Sequence, residues 1–132
     1  MLLHQVAPDW DRVLQMYAPY TKFFLIVNPQ FIDSPITVRL LDLGCEDYFK
    51  NVDHAREHPI YKNLFEKMYE INPHHGRICR DVHNVWQWGI TDTDLLHTMD
   101  RLGFKPVLIK NEGKAQYLPN WENTAFVFRK HV

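Results

Sequence analysis

An uninterrupted apolar run from Phe23 to Val27, within "TKFFLIVNP", is the strongest strand pattern in the chain. Such runs are typical of strands buried on both faces of a parallel sheet, and Asn28-Pro29 ends this one. Upstream, "MLL" has the composition of the end of a buried strand, and apolar positions in "HQVAPDWDRVLQMYAPY" recur at helical spacing. This pattern predicts an amphipathic helix that starts near Pro8 and stops at Pro19.

The clearest helix pattern is "ITDTDLLHTMDRLGF". Thr91 and Asp94, three places apart, form a capping box, the leucines behind them supply a buried stripe, and Gly103 is a C-terminal stop. Two strands are predicted to close the chain, Phe104 to Asn111 and Asn123 to Lys130. Together with the strand and helices before them, these elements predict an α/β fold.

The middle of the chain is less regular. Apolar residues at helical spacing in "IYKNLFEKMYEI" predict a helix from about Pro59 to Ile71, and "ITVRLLDL" predicts another extended segment. The stretch "RDVHNVWQWGI" fits both a helical stripe through His83, Trp86 and Ile90 and the alternation of a strand. We interpret it as a helix followed by a turn.

Bulk properties narrow the class of protein. With 132 residues, 45% of them hydrophobic, the chain is long enough for one packed domain spanning residues 1–132. Fifteen basic and sixteen acidic residues give a net charge of −1, which argues against nucleic acid or an anionic membrane as partner. Two cysteines and the absence of a secretory leader or apolar span in "MLLHQVAPDW" predict a soluble, cytoplasmic protein.

The stretch "VRLLDLGCEDYF" resembles the strand-to-glycine turn that cradles a nucleotide-like cofactor. Such a turn needs further glycines for close backbone approach and an acidic residue about 20 positions on, at the end of a second strand. After Gly44 the next glycine is Gly76, and that count reaches Glu66 inside a predicted helix. We interpret "LDLGCED" as a chance likeness, a strand or loop running into a short helical turn.

Nitrogen and sulfur ligands cluster in "NPHHGRICRDVHN", where His74, His75, Cys79 and His83 lie within ten positions. Zinc accepts such ligands, but a structural zinc site usually has two paired-ligand knuckles, and adjacent histidines point apart on most backbones. Ordinary surface histidines are therefore the preferred interpretation, and no metal ligand is assigned.

Three pieces, taken in order, carry a resemblance to a known family. They are "MLLHQVAPDWDRVLQMYA", then "KFFLIVNPQF", then "ITDTDLLHTMDRLGFKPVLIKN" with "TAFVFRK". They are similar to the fourth strand and its helix, the fifth strand, and the last helix and antiparallel strand pair of class I S-adenosylmethionine (SAM)-dependent methyltransferases. The resemblance implies a partial Rossmann-like methyltransferase sheet with a C-terminal antiparallel strand pair. It also implies SAM as cofactor, a small-molecule acceptor, and a SAM-binding half before Met1, without which this portion is inactive.

The resemblance also implies which residues border the acceptor. His4, after the fourth strand, matches the position of a general base, since an ordinary histidine pKa lies near working pH. Each candidate has a structural alternative: a frayed terminus for His4, a strand-ending turn for Asn28 and Gln30, and core packing for the tryptophans. Gln5, Asp9 and Trp10 are the further residues that the resemblance places on the acceptor side. Asn28 and Gln30 are added as substrate-binding candidates because open α/β sheets bind ligands at the carboxyl ends of their strands, and Trp86 and Trp88 because they are expected to form an aromatic wall over a flat substrate. No residue of this chain is assigned to cofactor binding.

Without the first strands of such a sheet, the region of Phe23 to Val27 is left with an uncovered apolar edge. We therefore expect a homo-oligomer formed through this edge, or pairing with a complementary N-terminal half. Two alternatives to the methyltransferase hypothesis remain: a non-catalytic α/β module that dimerises, and a small metal protein that uses His74, His75, Cys79 and His83.

Overall fold

The computed structural model describes residues 3–52, 56–59, 61–82, 85–115 and 118–131. The α-helices of this part are α1 (Arg12–Tyr17), α2 (Cys45–Lys50) and α3 (Asp92–Arg101). Its strands are β1 (Phe23–Phe31), β2 (Val38–Arg39), β3 (Ile71–Asn72), β4 (Arg77–Ile78), β5 (Trp88–Gly89), β6 (Phe104–Lys114) and β7 (Trp121–Lys130). Short 3-10 helices cover Leu3–Gln5, Ala18–Tyr20, Leu40–Leu43 and Cys79–Asp81.

The main sheet has the strand order β1-β7-β6, so the last strand lies between the other two. β7 is antiparallel to both neighbours, and β1 and β6 therefore run in the same direction. The registers place Ile26 and Ile109 on either side of Phe126. β2 pairs with β5 and β3 with β4, again antiparallel. The predicted α/β class is confirmed as a mixture of helices and antiparallel strands, whereas a partial Rossmann-like sheet stays a prediction.

The predicted C-terminal helix and strand pair are confirmed as α3, β6 and β7. The Thr91 side chain accepts a hydrogen bond from the Asp94 backbone N–H at 3.2 Å, so this half of the predicted capping box forms. The reciprocal bond is replaced by Thr37, which accepts from the Thr91 N–H and donates its own N–H to the Asp94 carboxylate. Gly103 ends the helix with a φ of 88°, a conformation that glycine adopts without steric cost. Leu95 and Met99 then pack against the core face of the sheet.

The prediction that the Phe23 to Val27 run is buried on both faces is wrong. Ile26 is buried, but Phe23, Leu25 and Val27 expose 55%, 75% and 62% of their surface. α1 and α3 contribute to one apolar cluster with β1, β6 and β7, on the face that carries Ile26. The other face of the sheet has no helix packed against it in the described chain.

The first predicted helix is shorter than expected. The helix α1 begins at Arg12 rather than near Pro8, with Asp11 as its N-cap residue, and the chain before it forms the 3-10 helix Leu3–Gln5. After α1, Ala18–Tyr20 continue as a 3-10 helix around the predicted stop at Pro19. Met1 and Leu2, where the end of a strand was predicted, lie outside the described residues.

The predicted helix from Pro59 to Ile71 is also wrong. Residues 61–70 form successive turns, and β3 begins at Ile71. Asn63 has a φ of 62°, which interrupts an α-helix, and Tyr61 and Leu64 are buried against the aromatic core instead. Packing therefore decides this segment over helical periodicity.

In "RDVHNVWQWGI" the strand alternative is the correct one. Cys79–Asp81 form a 3-10 helix, and Trp88 and Gly89 pair with β2. Gly89 lies so close to Phe31 that an added Cβ would meet its ring at 2.6 Å, so only glycine fits here. His83 and Asn84 lie outside the described residues.

The interpretation of "LDLGCED" as a loop running into a short helical turn is confirmed. Leu40–Leu43 form a 3-10 helix, and Gly44, with a φ of 94°, leads into α2. The extended segment predicted for "ITVRLLDL" is reduced to the two residues of β2.

Candidate functional site

His4 is buried, with 5% of its surface exposed, so it is not a frayed terminal residue. Its ring meets the edge of Trp86 at a centroid distance of 4.7 Å, and its carbonyl accepts a hydrogen bond from the Gln87 N–H at 2.8 Å. Within the described residues its Nε2 has no hydrogen-bond partner. Burial lowers the pKa of the imidazole from 6.5 to about 4, so the ring is neutral at pH 7 and able to accept a proton.

His4 is expected to make the protein acid-sensitive. Between pH 7 and pH 5 the free energy of unfolding should fall by about 2 kcal/mol through this residue. As the pH drops through about 6.5, the unfolded chain takes up a proton at His4, while the folded chain resists protonation until about pH 4. The unfolded state thus binds more protons in this window, and chemical denaturation at several pH values measures the loss.

His4→Phe keeps a ring against Trp86 and removes the titrating group, so it should flatten this pH dependence. His97→Gln is the matched control, because it replaces a histidine that is exposed on α3 rather than buried. An unchanged slope in His4→Phe would show that another group causes the acid sensitivity.

Asn28 and Gln30, at the carboxyl end of β1, both bind the start of α3. The buried Asn28 amide donates to the Asp92 carboxylate at 2.9 Å, and the Gln30 side-chain oxygen accepts from the Asp92 N–H at 3.3 Å. Asn28 Oδ1 is buried without a partner in the described part of the chain. Both residues lie within β1, which continues to Phe31, so the predicted end of the strand at Asn28-Pro29 and the strand-ending turn are wrong. The two side chains instead fix the junction of β1 and α3.

The two tryptophans pack in different apolar clusters. Trp86, which precedes β5, packs edge-on against Trp121, at 5.1 Å between ring centroids, as well as against His4. Trp88, in β5, donates its indole N–H to the Val6 carbonyl at 2.9 Å and packs with the apolar cluster of the main sheet. Because each ring is engaged in a separate cluster, the two do not form one wall over a flat substrate.

The remaining candidates are dispersed. Trp10 is half-buried and packs against the cluster that contains Leu14, as its core alternative predicts. Gln5 is half-buried in the first 3-10 helix, and Asp9 is exposed in a shallow depression beside Arg12. Of the predicted site residues, only His4 and Trp86 contact each other directly, and Asn28 and Gln30 share Asp92.

Sequence reasoning missed a polar network around Gln87, which is completely buried. Its side-chain oxygen accepts from Arg39 Nη2 at 3.0 Å, and its amide donates to the Arg80 carbonyl at 2.7 Å. Arg39 also pairs with Asp81, and its guanidinium lies 5.8 Å from the Trp88 ring centroid. The sequence did contain one indication of a buried polar side chain, because Gln87 lies between Trp86 and Trp88 in a segment with the alternation of a strand. Since Gln87 also binds His4, the network holds the histidine in place.

The described residues do not form a cradle for SAM. Gly44 follows a 3-10 helix rather than a strand, and α2 after it carries Glu46 and Asp47 in its first turn. No step of a reaction is therefore assigned to SAM held by this part of the chain.

For a metal ion, no group of three His, Cys, Asp or Glu side chains comes together within the described ranges. Of the four residues of that hypothesis, His83 lies outside these ranges. None of the helices in the described residues has the length and apolar character needed to cross a bilayer.

No family model, no curated protein and no solved structure matches the chain.

Proposed function

We propose that this chain is the C-terminal portion of a SAM-dependent methyltransferase that acts on a small-molecule acceptor. The observation that carries the proposal is the end of the main sheet: α3 leads directly into β6, and β7 turns back antiparallel beside β1. This arrangement agrees with the last helix and antiparallel strand pair that the sequence resemblance implies. SAM, bound by a separate half, would supply the electrophilic methyl group.

The free edge of β1 supports pairing with such a half. Ile32 donates its N–H to Asn120, on the β7 side, whereas the Phe31 N–H points to the opposite edge and donates to Ile90 at 3.0 Å. By the alternation of an antiparallel ladder, the N–H groups of Leu25 and Val27 also point to that edge. No strand pairs with them among the described residues.

The two outer strands of the sheet differ in how they are protected. β6 carries Pro106, several lysines and two register shifts, which are common devices against edge pairing. β1 has no charged residue and a regular register, and its one proline, Pro29, lies beyond the apolar run, so the edge from Phe23 to Val27 carries none of these devices. An unprotected apolar edge is expected to be covered by another strand.

The acceptor side of the proposed enzyme lies at the carboxyl end of β1, the edge where open α/β sheets bind ligands. At this end the Phe31 N–H donates to the Ile90 carbonyl. Gln87, three residues before Ile90, donates its N–H to the His4 carbonyl, which brings His4 near the same end. The His4 ring packs against Trp86 beside this end and is neutral, but burial makes it a weak base, so the proposal assigns it no proton-transfer step. Methyl transfer needs mainly alignment of the two reactants, so few protein groups have to react.

A second candidate is a non-catalytic module in which two copies pair along β1. The uncovered edge and the exposed Leu25 favour it in the isolated chain. Sedimentation of the purified chain tests it directly, since a monomer at high concentration would contradict self-pairing.

The methyltransferase proposal is tested by co-expressing the chain with the polypeptide encoded immediately upstream of Met1, which should contain a glycine-rich strand-loop-helix. Calorimetry is expected to find no SAM binding by the 132-residue chain alone and one SAM per complex. A SAM site on the chain alone, or an upstream sequence without such a motif, would contradict the proposal.

Leu25→Pro removes an N–H from the free edge without removing a β1–β7 hydrogen bond, and it should weaken the complex. Leu25→Thr, which keeps the N–H, is its matched control.

A further inference from the structure

A cavity of about 420 Å³ opens between the turns of residues 61–70 and the hairpin β3–β4. Its volume lies in the range of small-molecule sites. We propose that it binds a small organic anion, a carboxylate or phosphate attached to an apolar body. The inference concerns a different part of the chain from His4, and it stands whether or not the chain takes part in methyl transfer.

Unpaired positive charge is the first reason. Lys62 and Lys67 both line the cavity, and in the described residues neither forms an ion pair. The one carboxylate among the lining residues is Glu70, which also makes no ion pair in the same ranges. Two ammonium groups against one carboxylate leave the lining with a net positive charge, although the whole chain carries −1. An anion would therefore find a local excess of cations.

Histidine donors at the rim are the second reason. His74 and His75 line the same cavity, and Asn72 holds the turn that carries them. The Asn72 side-chain oxygen accepts from the His74 N–H at 2.9 Å, and its carbonyl accepts from the Gly76 N–H at 2.8 Å. Imidazole N–H groups donate to carboxylate and phosphate oxygens, so these rings add to the lysines' capacity for an anion.

The apolar wall of the cavity is the third reason. Leu64 and Val82, which belong to the core, are 3% and 4% exposed and line the cavity from inside, while Ile71 lines it with 63% of its surface exposed. Inorganic phosphate would leave the exposed surface of Ile71 in contact with water. A ligand with a hydrocarbon or aromatic body would cover that surface, and its burial is favourable in proportion to the apolar area removed from water.

The backbone around Lys62 and Lys67 is held in a specific conformation. Asn63 lies between them with a φ of 62°, the one positive value at a non-glycine residue in the described chain. Its carbonyl accepts from the Lys67 N–H at 2.8 Å, closing one turn that brings both lysines to the same cavity. Asparagine is among the residues that tolerate this conformation best, so the turn is built into the sequence.

Four probes separate the parts of the proposal: phenyl phosphate, benzoate, inorganic phosphate and the neutral benzyl alcohol. Each is titrated into the isotopically labelled full chain, with the backbone amide resonances of residues 61–76 followed by NMR. The two organic anions should shift these resonances with dissociation constants of about 1 mM or lower, and the other two should bind at least about tenfold more weakly. Resonances of α3 should not move.

The double variant Lys62→Met and Lys67→Met is expected to weaken binding of phenyl phosphate about tenfold or more. Both side chains are exposed, so the fold should be retained, and Lys114→Met, at an exposed lysine of β6, is the control that should bind normally. Equal binding of benzyl alcohol would overturn the anion preference, and equal binding of inorganic phosphate would overturn the role of the apolar wall. No shift with any probe at about 10 mM, or unchanged affinity in the double variant, would overturn the site.

Discussion

Trp121→Ala is expected to lower the free energy of unfolding by about 4 kcal/mol, because it removes a fully buried indole from the junction of several elements. Trp121 is 1% exposed. Its ring lies 5.0 Å from that of Phe31 and 5.1 Å from that of Trp86, and its N–H donates to the Asn51 carbonyl at 3.1 Å. Truncation leaves a cavity and an unpaired carbonyl together, and denaturation in urea measures the result.

Tyr20→Ala is the matched control for this substitution, since it also removes an aromatic ring but from a position that is 87% exposed. Its unfolding midpoint should stay close to that of the unsubstituted protein. If both variants lost a similar amount of free energy of unfolding, burial of the Trp121 indole would not be the cause of the destabilisation. Since Trp86 separates Trp121 from His4, the Trp121 variant should also make His4 more accessible to solvent.

Arg39→Met is expected to cost about 3 kcal/mol, because it leaves buried acceptors without their donor. The Arg39 side chain is 14% exposed and that of its partner Asp81 is 20% exposed. Arg39 also donates to the buried Gln87 oxygen and to the Arg80 carbonyl. Methionine fills similar volume, so the loss reports the polar contacts rather than a cavity, and thermal and chemical denaturation should agree on it.

Lys50→Met supplies the comparison for Arg39→Met, since it also breaks an ion pair, with Asp47. Both side chains of that pair are largely exposed, at 70% and 60%, and such pairs contribute little to stability. No measurable change is expected for Lys50→Met. If Arg39→Met also caused no change, the contacts of Arg39 with Asp81, Gln87 and Arg80 would not contribute to stability.

The end of the chain was predictable because its local preferences agree with its packing. The Thr91 cap and the Gly103 stop are local, and they delimit α3 as expected. In residues 61–70 the same helical periodicity misled, because Tyr61 and Leu64 are required in an aromatic core that forms around Tyr48. Whether helical periodicity or core packing decides the backbone of this segment depends on residues that are distant in the sequence. The local pattern of residues 61–70 does not contain that information.

For the candidate site, sequence reasoning selected His4 and Trp86, which do contact each other. It did not foresee the burial of His4, since a histidine next to a chain start has no local feature that predicts an enclosing Trp86. Gln87 was missed for a related reason: the four hydrogen bonds of its side chain go to Arg39, Arg80 and Val82, which lie either far away in the sequence or in an irregular segment. Buried polar networks of this kind depend on tertiary geometry.

The central place of β7 has a consequence for synthesis. β1 and β6 each depend on β7 for their ladder, and Phe23 pairs with Arg129. Because the ribosome adds residues in order, β1 is synthesised long before β7. Its apolar residues therefore have no strand of the main sheet to pair with until nearly the whole polypeptide has been translated. Sheets with such distant pairings fold slowly, and chaperone demand during translation should therefore be high for this chain.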